Sequence, residues 1–289
     1  MIVFNTDKLV RLSVVGEIDH PTLRKTGYVI NSDGRVEVYP SVGGIAYNVR
    51  IGDPAVGWKA DHVEPGVSIL NSGKGHGEYS PNAALNVLAC VGNRAEVISG
   101  DARGAVGRVT GKHGGVDHVM VDFEPDILEK LNIGDRIRIK SFGVGLEIEN
   151  LPEVKLMNLD PELAEKLIQP VKKGIQVPVT HVIPAKLMGA GLGASSVYSG
   201  DYDIQVFDAK AIEKYRLAEL RLGDIVAIED SDASYGWIYR KGAVTIGVVV
   251  HSNSVISGHG PGVTTLMTSS AGKIEPVVDA KANLKYLFE

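Results

Sequence analysis

Two histidines near the C-terminal end of the chain stand where a ligand could reach them. Residues 246–250 form an apolar run typical of a buried β-strand, His251 follows directly, and His259 lies in the glycine-rich segment 258–262. Because imidazole titrates near neutral pH and binds metal ions when neutral, both are candidate catalytic residues. The alternative is that His251 only caps the strand and that His259 is an ordinary loop residue.

The glycines around His259 are a second candidate feature. Glycine can adopt the alternating φ signs by which successive backbone N–H groups surround an anion. The candidate ligand-binding residues of this segment are Gly258, Gly260 and Gly262.

A further histidine-rich segment spans residues 111–122. His113 lies beside glycines and is a candidate catalytic residue, whereas His118 begins a predicted strand. Side chains alternate across a strand, so His118 and Asp122 share one face and could bind a divalent cation together. A solvated polar strand face is the alternative explanation.

Two aspartates, Asp201 and Asp203, lie two positions apart after a glycine-rich segment. On a strand their carboxylates point the same way, which suits a hard cation or one acid with a raised pKa. We therefore interpret both as candidate metal ligands. An acidic turn that leads into a strand would give the same pattern.

A polar loop precedes the first predicted helix. Lys74, His76 and Glu78 alternate with glycines there, a pattern typical of a flexible loop that closes on a ligand. The G-K-[ST] ending of a phosphate-binding loop is absent, so we predict only a general ligand-binding role for these three residues.

These segments define one hypothesis if they converge in space. The protein would be an enzyme, a metal-assisted hydrolase or lyase that acts on a small polar molecule with the help of a divalent metal. The residues of the shared cleft would be His113, His118, Asp201, Asp203, His251 and His259.

Two non-enzymatic hypotheses remain open. The protein could bind a small anion, or RNA through the region 100–113 with Arg103, Arg108 and Lys112, or it could be a structural protein that forms oligomers. The net charge of −5 disfavours nucleic acid as a partner and also disfavours an anionic membrane. We expect a small-molecule ligand and a homo-oligomer.

The elements that must position these residues are mainly short strands. Valine and isoleucine recur in short runs, and 34 glycines indicate many turns and close backbone approaches. The predicted fold class is α+β and β-dominated, with two β-barrel-like or β-sandwich-like modules. Residues 1–155 would form the first and 156–289 the second, with the boundary anywhere in the proline-rich stretch 150–178.

An internal repeat supports two related modules. Residues 118–139 and 203–228 each predict a strand, a short helix, a turn of the form L-x-[IL]-G-D and a second strand. The glycine of each turn permits a tight bend, and the aspartate can accept backbone N–H bonds. This order favours a duplicated strand-helix-strand unit.

Composition excludes several classes of protein. The hydrophobic fraction of 44% is that of a globular protein, and one cysteine, Cys90, rules out an intrachain disulfide framework. The chain lacks the apolar core of a signal peptide and any apolar run long enough to span a bilayer. We therefore expect a cytoplasmic protein.

Three segments carry a resemblance to a known family. Residues 109–115, 199–204 and 250–263 are similar to those of an uncharacterised prokaryotic family known only as a domain of unknown function. The resemblance covers most of the chain and implies an N-terminal and a C-terminal module without an established activity. The Gly/Asp/His-rich β organisation also faintly resembles the acetamidase/formamidase family, although residues 75–78 match only a fragment of the Q-G-D-G-E signature of those enzymes.

Overall fold

The computed structural model describes residues 1–76, 79–194 and 197–289. Short strands dominate and helices are brief, which confirms the predicted β-dominated α+β fold class. The strands of the N-terminal half are β1 (Leu12–Ile18), β2 (Val29–Ile30), β3 (Val36–Glu37), β4 (Ile45–Ala46), β5 (Gly66–Leu70), β6 (Arg94–Val97), β7 (Val106–His113), β8 (His118–Asp122) and β9 (Arg136–Ser141). Those of the C-terminal half are β10 (Lys155–Leu156), β11 (Gln169–Val171), β12 (Gly174–Val179), β13 (His181–Pro184), β14 (Tyr202–Asp203), β15 (Ile225–Asp232), β16 (Ile238–Val249), β17 (Gly262–Ser269) and β18 (Ile274–Val278). The helices are α1 (Pro81–Leu88), α2 (Pro125–Leu128), α3 (Pro161–Leu167), α4 (Ala209–Tyr215) and α5 (Leu284–Leu287).

The helices begin where capping residues require it. The Ser80 side chain accepts a hydrogen bond from the Ala83 N–H at the start of α1, and the Asp160 carboxylate accepts one from the Glu162 N–H at the start of α3. A proline occupies the first helical position in both cases, where its missing N–H costs nothing. In the described part of the chain, no helix is both long and apolar enough to cross a membrane.

The N-terminal half is built around a closed barrel. Its six strands follow the order β1-β9-β6-β7-β8-β5, and β5 pairs again with β1, so each neighbouring pair is antiparallel and hydrogen-bonded. Closure leaves these six strands without an unpaired edge, which makes the barrel a rigid support. Its strands contribute the buried apolar residues Ile18, Val67, Ile69, Val97, Val109, Val119, Val121, Ile137 and Ile139.

The C-terminal half has an open sheet instead. Strands β10, β17, β16, β15 and β13 lie in that order, β14 pairs with β17, and a separate three-stranded sheet contains β11, β12 and β18. One hydrophobic cluster contains residues of both halves, among them Val91 and Met120 from the first and Ile246 and Leu266 from the second. The two halves therefore share a core.

The repeated order of elements is present in both halves. The unit β8-α2-β9 corresponds to β14-α4-β15, and the turns before β9 and β15 have the same geometry. Gly134 and Gly223 have φ of 86° and 82°, which only glycine adopts without strain. The carboxylate of Asp135 accepts a hydrogen bond from the Asn132 N–H at 2.9 Å, and that of Asp224 accepts the Arg221 N–H at 2.8 Å. The surroundings differ, since β9 belongs to the barrel and β15 to the open sheet.

A third copy of this turn was not recognised in the sequence. The Asp53 carboxylate accepts the Arg50 N–H at 2.8 Å, and Gly52 has φ of 92°. The Gly52 N–H then donates to the Leu222 carbonyl at 2.7 Å, so this turn joins the two halves.

Candidate metal centre

Backbone hydrogen bonds connect the segments that carry the candidate residues. The Gly114 N–H, in the turn between β7 and β8, donates to Asp201 Oδ1 at 2.8 Å. The Gly260 N–H, in the loop before β17, donates to Asp203 Oδ2 at 3.0 Å. The β7–β8 turn, β14 and this loop are thus joined at one place.

The segment after β16 is hydrogen-bonded to the N-terminal half on its other side. The Ser252 N–H donates to the Val63 carbonyl at 2.9 Å, and the His62 N–H donates to the Asn253 carbonyl at 3.2 Å. The Asn253 N–H donates to the Ala55 carbonyl at 2.6 Å. These bonds fix His62 beside the loop that carries His251 and His259.

Three donor atoms form an outer triad, which consists of His62, Asp203 and His259. His62 Nε2 lies 3.1 Å from His259 Nδ1, and Asp203 Oδ2 lies 3.3 Å from His259 Nδ1 and 3.8 Å from His62 Nε2. A tetrahedral Zn²⁺ with bonds of 2.0–2.1 Å separates its ligands by about 3.3–3.4 Å. The triangle therefore has the size of one face of such a site.

An inner triad consists of His113, Asp201 and His251. His251 Nε2 and Asp201 Oδ2 are 2.8 Å apart, and one donor atom from each of the three residues lies within 4.8 Å of the others. The two atoms form a close ion pair, and neither has a hydrogen-bond partner among the other described residues. Both atoms are buried, so solvent does not reach this pair.

Three of the four imidazoles are oriented in the same way. Nδ1 of His113 lies 2.7 Å from Glu64 Oε1, and Nδ1 of His251 lies 2.9 Å from the Ser252 carbonyl oxygen. Nδ1 of His62 lies 3.2 Å from Asp61 Oδ1. Carbonyl and carboxylate oxygens only accept hydrogen bonds, so Nδ1 carries the proton and Nε2 is the ligand nitrogen of each ring. This is how metal-binding histidines are usually held.

Glu64 is a buried carboxylate that holds the imidazoles of His113 and His118 in the N-terminal half. Its carboxylate accepts hydrogen bonds from the Ser68 hydroxyl at 2.5 Å and the Gly43 N–H at 2.7 Å, in addition to its contacts with His113 and His118. Burial alone would raise the pKa of Glu64, but the bonds from the two imidazoles outweigh it and hold that pKa well below its usual value. Glu64 is therefore a permanent negative charge.

Burial and nearby charges also shift the pKa values of the triad residues in opposite directions. Burial would lower the pKa of His251, but the nearby carboxylates of Asp201 and Asp203 outweigh it and raise the pKa to about 9. Burial would raise the pKa of Asp203, but the imidazoles of His259 and His62 lower it. These surroundings stabilise positive charge next to the two aspartates.

Gly262 leaves room for the inner triad. A Cβ atom at this position would lie 2.0 Å from Asp201 Oδ2 and 2.2 Å from His251 Nε2. The strand pairing that places Gly262 opposite Asp203 brings the backbone of β17 this close to the donors. Any other residue here would displace them.

A cleft opens onto both triads. Its volume is about 640 Å³, and a second hollow of about 360 Å³ reaches His62, His113 and His259 from another direction. The first cleft is lined by His62, His113, Gly114, Gly115, Asp117, Ala190, Gly191, Gly193, Ala194, Ser199, Gly200, Asp201, Asp203, Trp237 and His259. A small molecule in this cleft would touch the donor residues directly.

His118 lies one layer behind the inner triad. Its Nδ1 lies 3.0 Å from Glu64 Oε2 and its Nε2 lies 3.3 Å from Asp19 Oδ2. Burial would lower the pKa of His118, but these carboxylates raise it. Both ring nitrogens are thus engaged, and His118 positions Glu64 instead of facing the donors.

Asp122 lies away from the cluster. Its carboxylate binds the Arg50 guanidinium at 2.8 Å, on a face shared with His118 but four residues farther along β8. Four residues of a strand span roughly 13 Å, so a shared face does not make them ligands of one ion.

The other predicted ligand-binding residues have different positions. Lys74 and His76 are exposed in the segment before α1 and do not line the cleft, and Glu78 lies outside the described residues. The Gly260 N–H is bonded to Asp203, and the Gly258 carbonyl accepts the Ala190 N–H at 2.7 Å. These two glycines hold the protein's own groups in place.

The basic residues considered for RNA binding do not form one exposed surface. Lys112 is fully buried and donates to Asn158 Oδ1 and to the Tyr198 carbonyl, both at 2.6 Å. Burial lowers its pKa to about 8. The Arg108 guanidinium donates to the Gly92 carbonyl at 2.9 Å.

Sequence reasoning missed His62, Asp61 and Glu64. They precede β5 in an irregular stretch without periodicity, so no face could be assigned to them. The available signal was three polar residues of metal-ligand type within four positions, directly before the apolar run of β5. His62 also has φ of 57°, a left-handed conformation that is uncommon outside glycine. Its ring lies beside His259 and Asp203 in the outer triad.

Fold and site together define a β-dominated protein with a histidine–carboxylate cluster between its two halves. The chain belongs to the family described as domain of unknown function DUF4438, whose N-terminal part matches residues 28–165 and whose C-terminal part matches residues 166–288. This confirms the resemblance to an uncharacterised family. A solved protein described as "Crystal structure of TM1086" is 52% identical, with a TM-score of 0.92 and a match that covers 98% of each chain. No curated protein matches this chain.

Proposed function

We propose that the protein is a metal-dependent hydrolase that acts on a small polar substrate in the cleft. The observation that carries the proposal is the outer triad, whose three donor atoms lie 3.1, 3.3 and 3.8 Å from one another. Two imidazoles and one carboxylate form a ligand set of catalytic zinc sites, which keep a further position open for water.

The open position of the outer triad faces the cleft. The His259 side chain is 36% exposed, whereas those of His62 and Asp203 are 11% and 6% exposed. Water and substrate can therefore approach from the His259 side. A bound divalent cation lowers the pKa of its water and supplies hydroxide at neutral pH.

Hydrolysis would need only a bound divalent cation and a water molecule in addition to the residues of the outer triad. The oxygen of the activated water forms the new bond to the electrophilic carbon of the substrate. The electron pair of the broken bond leaves with the departing oxygen or nitrogen, which takes up the proton that the water released. The barrel and the open sheet hold the triad still during this step, which favours catalysis through preorganisation.

The lining of the cleft indicates the substrate class. None of the described residues that line it is lysine or arginine, and seven of the fifteen are glycine or alanine. An anionic substrate in this cleft would meet Asp117, Asp201 and Asp203, whereas Arg24 lines the second hollow. An uncharged amide, ester or lactone fits this lining better than a phosphate ester.

Metal analysis and a substrate panel test the proposal. Full-length protein should retain a transition metal after purification, and it should hydrolyse uncharged amides or esters in preference to phosphomonoesters. His259→Ala should lower kcat at least about 100-fold, because it removes a ligand of the proposed catalytic ion. The matched control is His20→Ala, an exposed histidine that does not line the cleft, which should leave both metal content and rate unchanged.

Two results would contradict the proposal. One is a protein that neither retains nor binds Zn²⁺ or Co²⁺ after purification. The other is hydrolysis that proceeds equally well in chelator-treated protein and in His259→Ala.

A further inference from the structure

We infer that the centre is binuclear: a second divalent cation binds the inner triad, and the carboxylate of Asp203 bridges the two ions. This inference rests on the proposed function for the outer site. It adds a site with a different donor set, His113, Asp201 and His251.

The first argument is the state of the inner donor atoms. His251 has no exposed surface, and its Nδ1 is committed to the Ser252 carbonyl. Its Nε2 is aimed at Asp201 Oδ2 from 2.8 Å, yet both atoms lack a hydrogen-bond partner among the described residues. Two ligands of one ion also approach each other this closely, since an octahedral ion with bonds of 2.0 Å separates neighbouring ligands by about 2.8 Å.

The second argument is the position of Asp203. Its Oδ2 faces the outer triad, 3.3 Å from His259 Nδ1. Its Oδ1 lies 3.7 Å from His251 Nε2 of the inner triad. One carboxylate thus presents one oxygen to each set of imidazoles, which is the arrangement of a bridging ligand.

The spacing of the imidazoles agrees with two neighbouring ions. The ring centroid of His62, in the outer triad, lies 5.1 Å from that of His251 and 5.7 Å from that of His113, both in the inner triad. Two-metal hydrolytic sites place their ions about 3.5–4 Å apart. Rings this close can ligate separate ions only if the ions are also close.

The third argument is charge. Four carboxylates surround the imidazoles, and all four side chains are buried: Asp61, Glu64, Asp201 and Asp203. Buried charges require compensation. Two divalent cations would supply positive charge beside these carboxylates with neutral imidazoles, as metal ligands must be.

A binuclear centre changes how the nucleophile is held. Two bound cations would together hold the nucleophilic hydroxide, and the ion at the outer triad would polarise the substrate oxygen from the cleft side. The inner ion would serve mainly to bind the nucleophile, because His251, one of its two histidines, is fully buried.

Metal stoichiometry tests the inference with the full chain. Chelator-stripped protein is titrated with Co²⁺, bound metal is counted by elemental analysis, and the Mn²⁺-loaded protein is measured by electron paramagnetic resonance. Two ions per chain and a spin-coupled Mn²⁺ signal are expected. Asp201→Asn, which keeps the side-chain shape, should reduce the count to one, and His259→Ala should also reduce it to one. Asp203→Asn should abolish the spin coupling, and His20→Ala is the control that should change nothing.

The outcomes separate this inference from the proposed function. One ion per chain that is lost in His259→Ala and kept in Asp201→Asn would overturn the binuclear centre and leave the hydrolase proposal standing. No bound ion would overturn both. Two ions whose coupling survives Asp203→Asn would overturn the bridging role. Because His251 is buried and His251→Ala could fail to fold, circular dichroism of Asp201→Asn verifies that a loss of metal is not a loss of structure.

Discussion

The two halves of the molecule hold their site residues by different means. The barrel half orients His62 and His113 with the buried carboxylates of Asp61 and Glu64. The open-sheet half uses backbone groups: the Ser252 carbonyl orients His251, and the Gly260 N–H holds Asp203. Asp61, His62 and Glu64 lie in the irregular segment before β5, where side chains hold one another, whereas the glycine loops beside the open sheet offer free N–H and C=O groups.

Each triad contains residues from both halves. The barrel half contributes one histidine to each triad, and the open-sheet half contributes one aspartate and one histidine. Neither half contains a complete triad. Metal binding should therefore stabilise the contact between the halves in addition to supporting catalysis.

Removal of metal should have the largest effect on this contact. At a free metal concentration 100-fold above Kd, each site stabilises the fold by about 2.7 kcal/mol, so two sites contribute about 5 kcal/mol. Thermal melting of the protein with and without a chelator measures this difference. The double variant His259→Ala/Asp201→Asn should melt at a temperature independent of chelator. An equal melting temperature of loaded and stripped wild-type protein would refute metal-linked contact between the halves.

Gly262→Ala should disrupt the sheet side of the inner triad. The added Cβ would stand 2.0 Å from Asp201 Oδ2, so we expect metal affinity at the inner triad to fall at least about 100-fold. The control is Gly247→Ala, whose Cβ would meet Val263 Cγ1 at 2.3 Å, a comparable clash that touches no donor atom. Both variants should lose stability, and only the first should lose the inner ion in a Co²⁺ titration. Equal metal binding by both would show that Gly262 has no role at the site.

Glu64→Gln tests how the barrel half contributes to metal binding at the inner triad. The amide keeps the size of the carboxylate but cannot accept from both imidazoles with the same strength, so metal affinity of the inner triad should fall about 10–100-fold. Isothermal titration with Zn²⁺ measures the change, with Glu165→Gln on the exposed face of α3 as control. If Glu64→Gln binds Zn²⁺ like wild type, the imidazole of His113 does not depend on this carboxylate.

The duplicated turns should differ modestly in stability. Asp224 has no exposed surface and accepts further bonds from the Arg221 guanidinium at 2.9 Å and the Asn283 amide at 2.8 Å. Asp135 accepts one further bond, from the Ser99 hydroxyl at 3.1 Å. Asp224→Ala should therefore lower the free energy of unfolding by about 1–2 kcal/mol more than Asp135→Ala, as measured by urea denaturation. A smaller loss for Asp224→Ala would mean that the buried bonds of the sheet half add nothing to this turn.

Local patterns predicted much of the fold because its elements are locally determined. The cap at Ser80, the apolar run before His251 and the Gly-Asp turns each depend on a few neighbouring residues. The same patterns indicated which face of a strand a residue occupies. The four-residue spacing, roughly 13 Å along a strand, separates Asp122 from His118 although they share a face, and Asp122 binds Arg50.

The composition of the triads depends on contacts between distant parts of the chain. His62 meets His259 across 197 positions, and Gly114 meets Asp201 across 87. Such contacts follow from how the β7–β8 turn packs against β14, and no residue pattern near His62 encodes that packing. Periodicity could not indicate Glu64 either, because the irregular segment that contains it has no repeating pattern of polar and apolar residues.

The backbone bonds that link residues 252 and 253 to the N-terminal half have a consequence for ion selectivity. With His62 fixed through its own N–H and Ser252 fixed through Val63, the donor atoms on the two sides cannot move apart easily. Ca²⁺ needs oxygen-rich shells of six to eight ligands at about 2.3–2.6 Å and would require a wider, softer cage. A rigid, nitrogen-rich frame of this size would exclude Ca²⁺ by its radius and disfavour Mg²⁺ by its donor type, because imidazole suits transition-metal ions whereas Mg²⁺ prefers oxygen ligands.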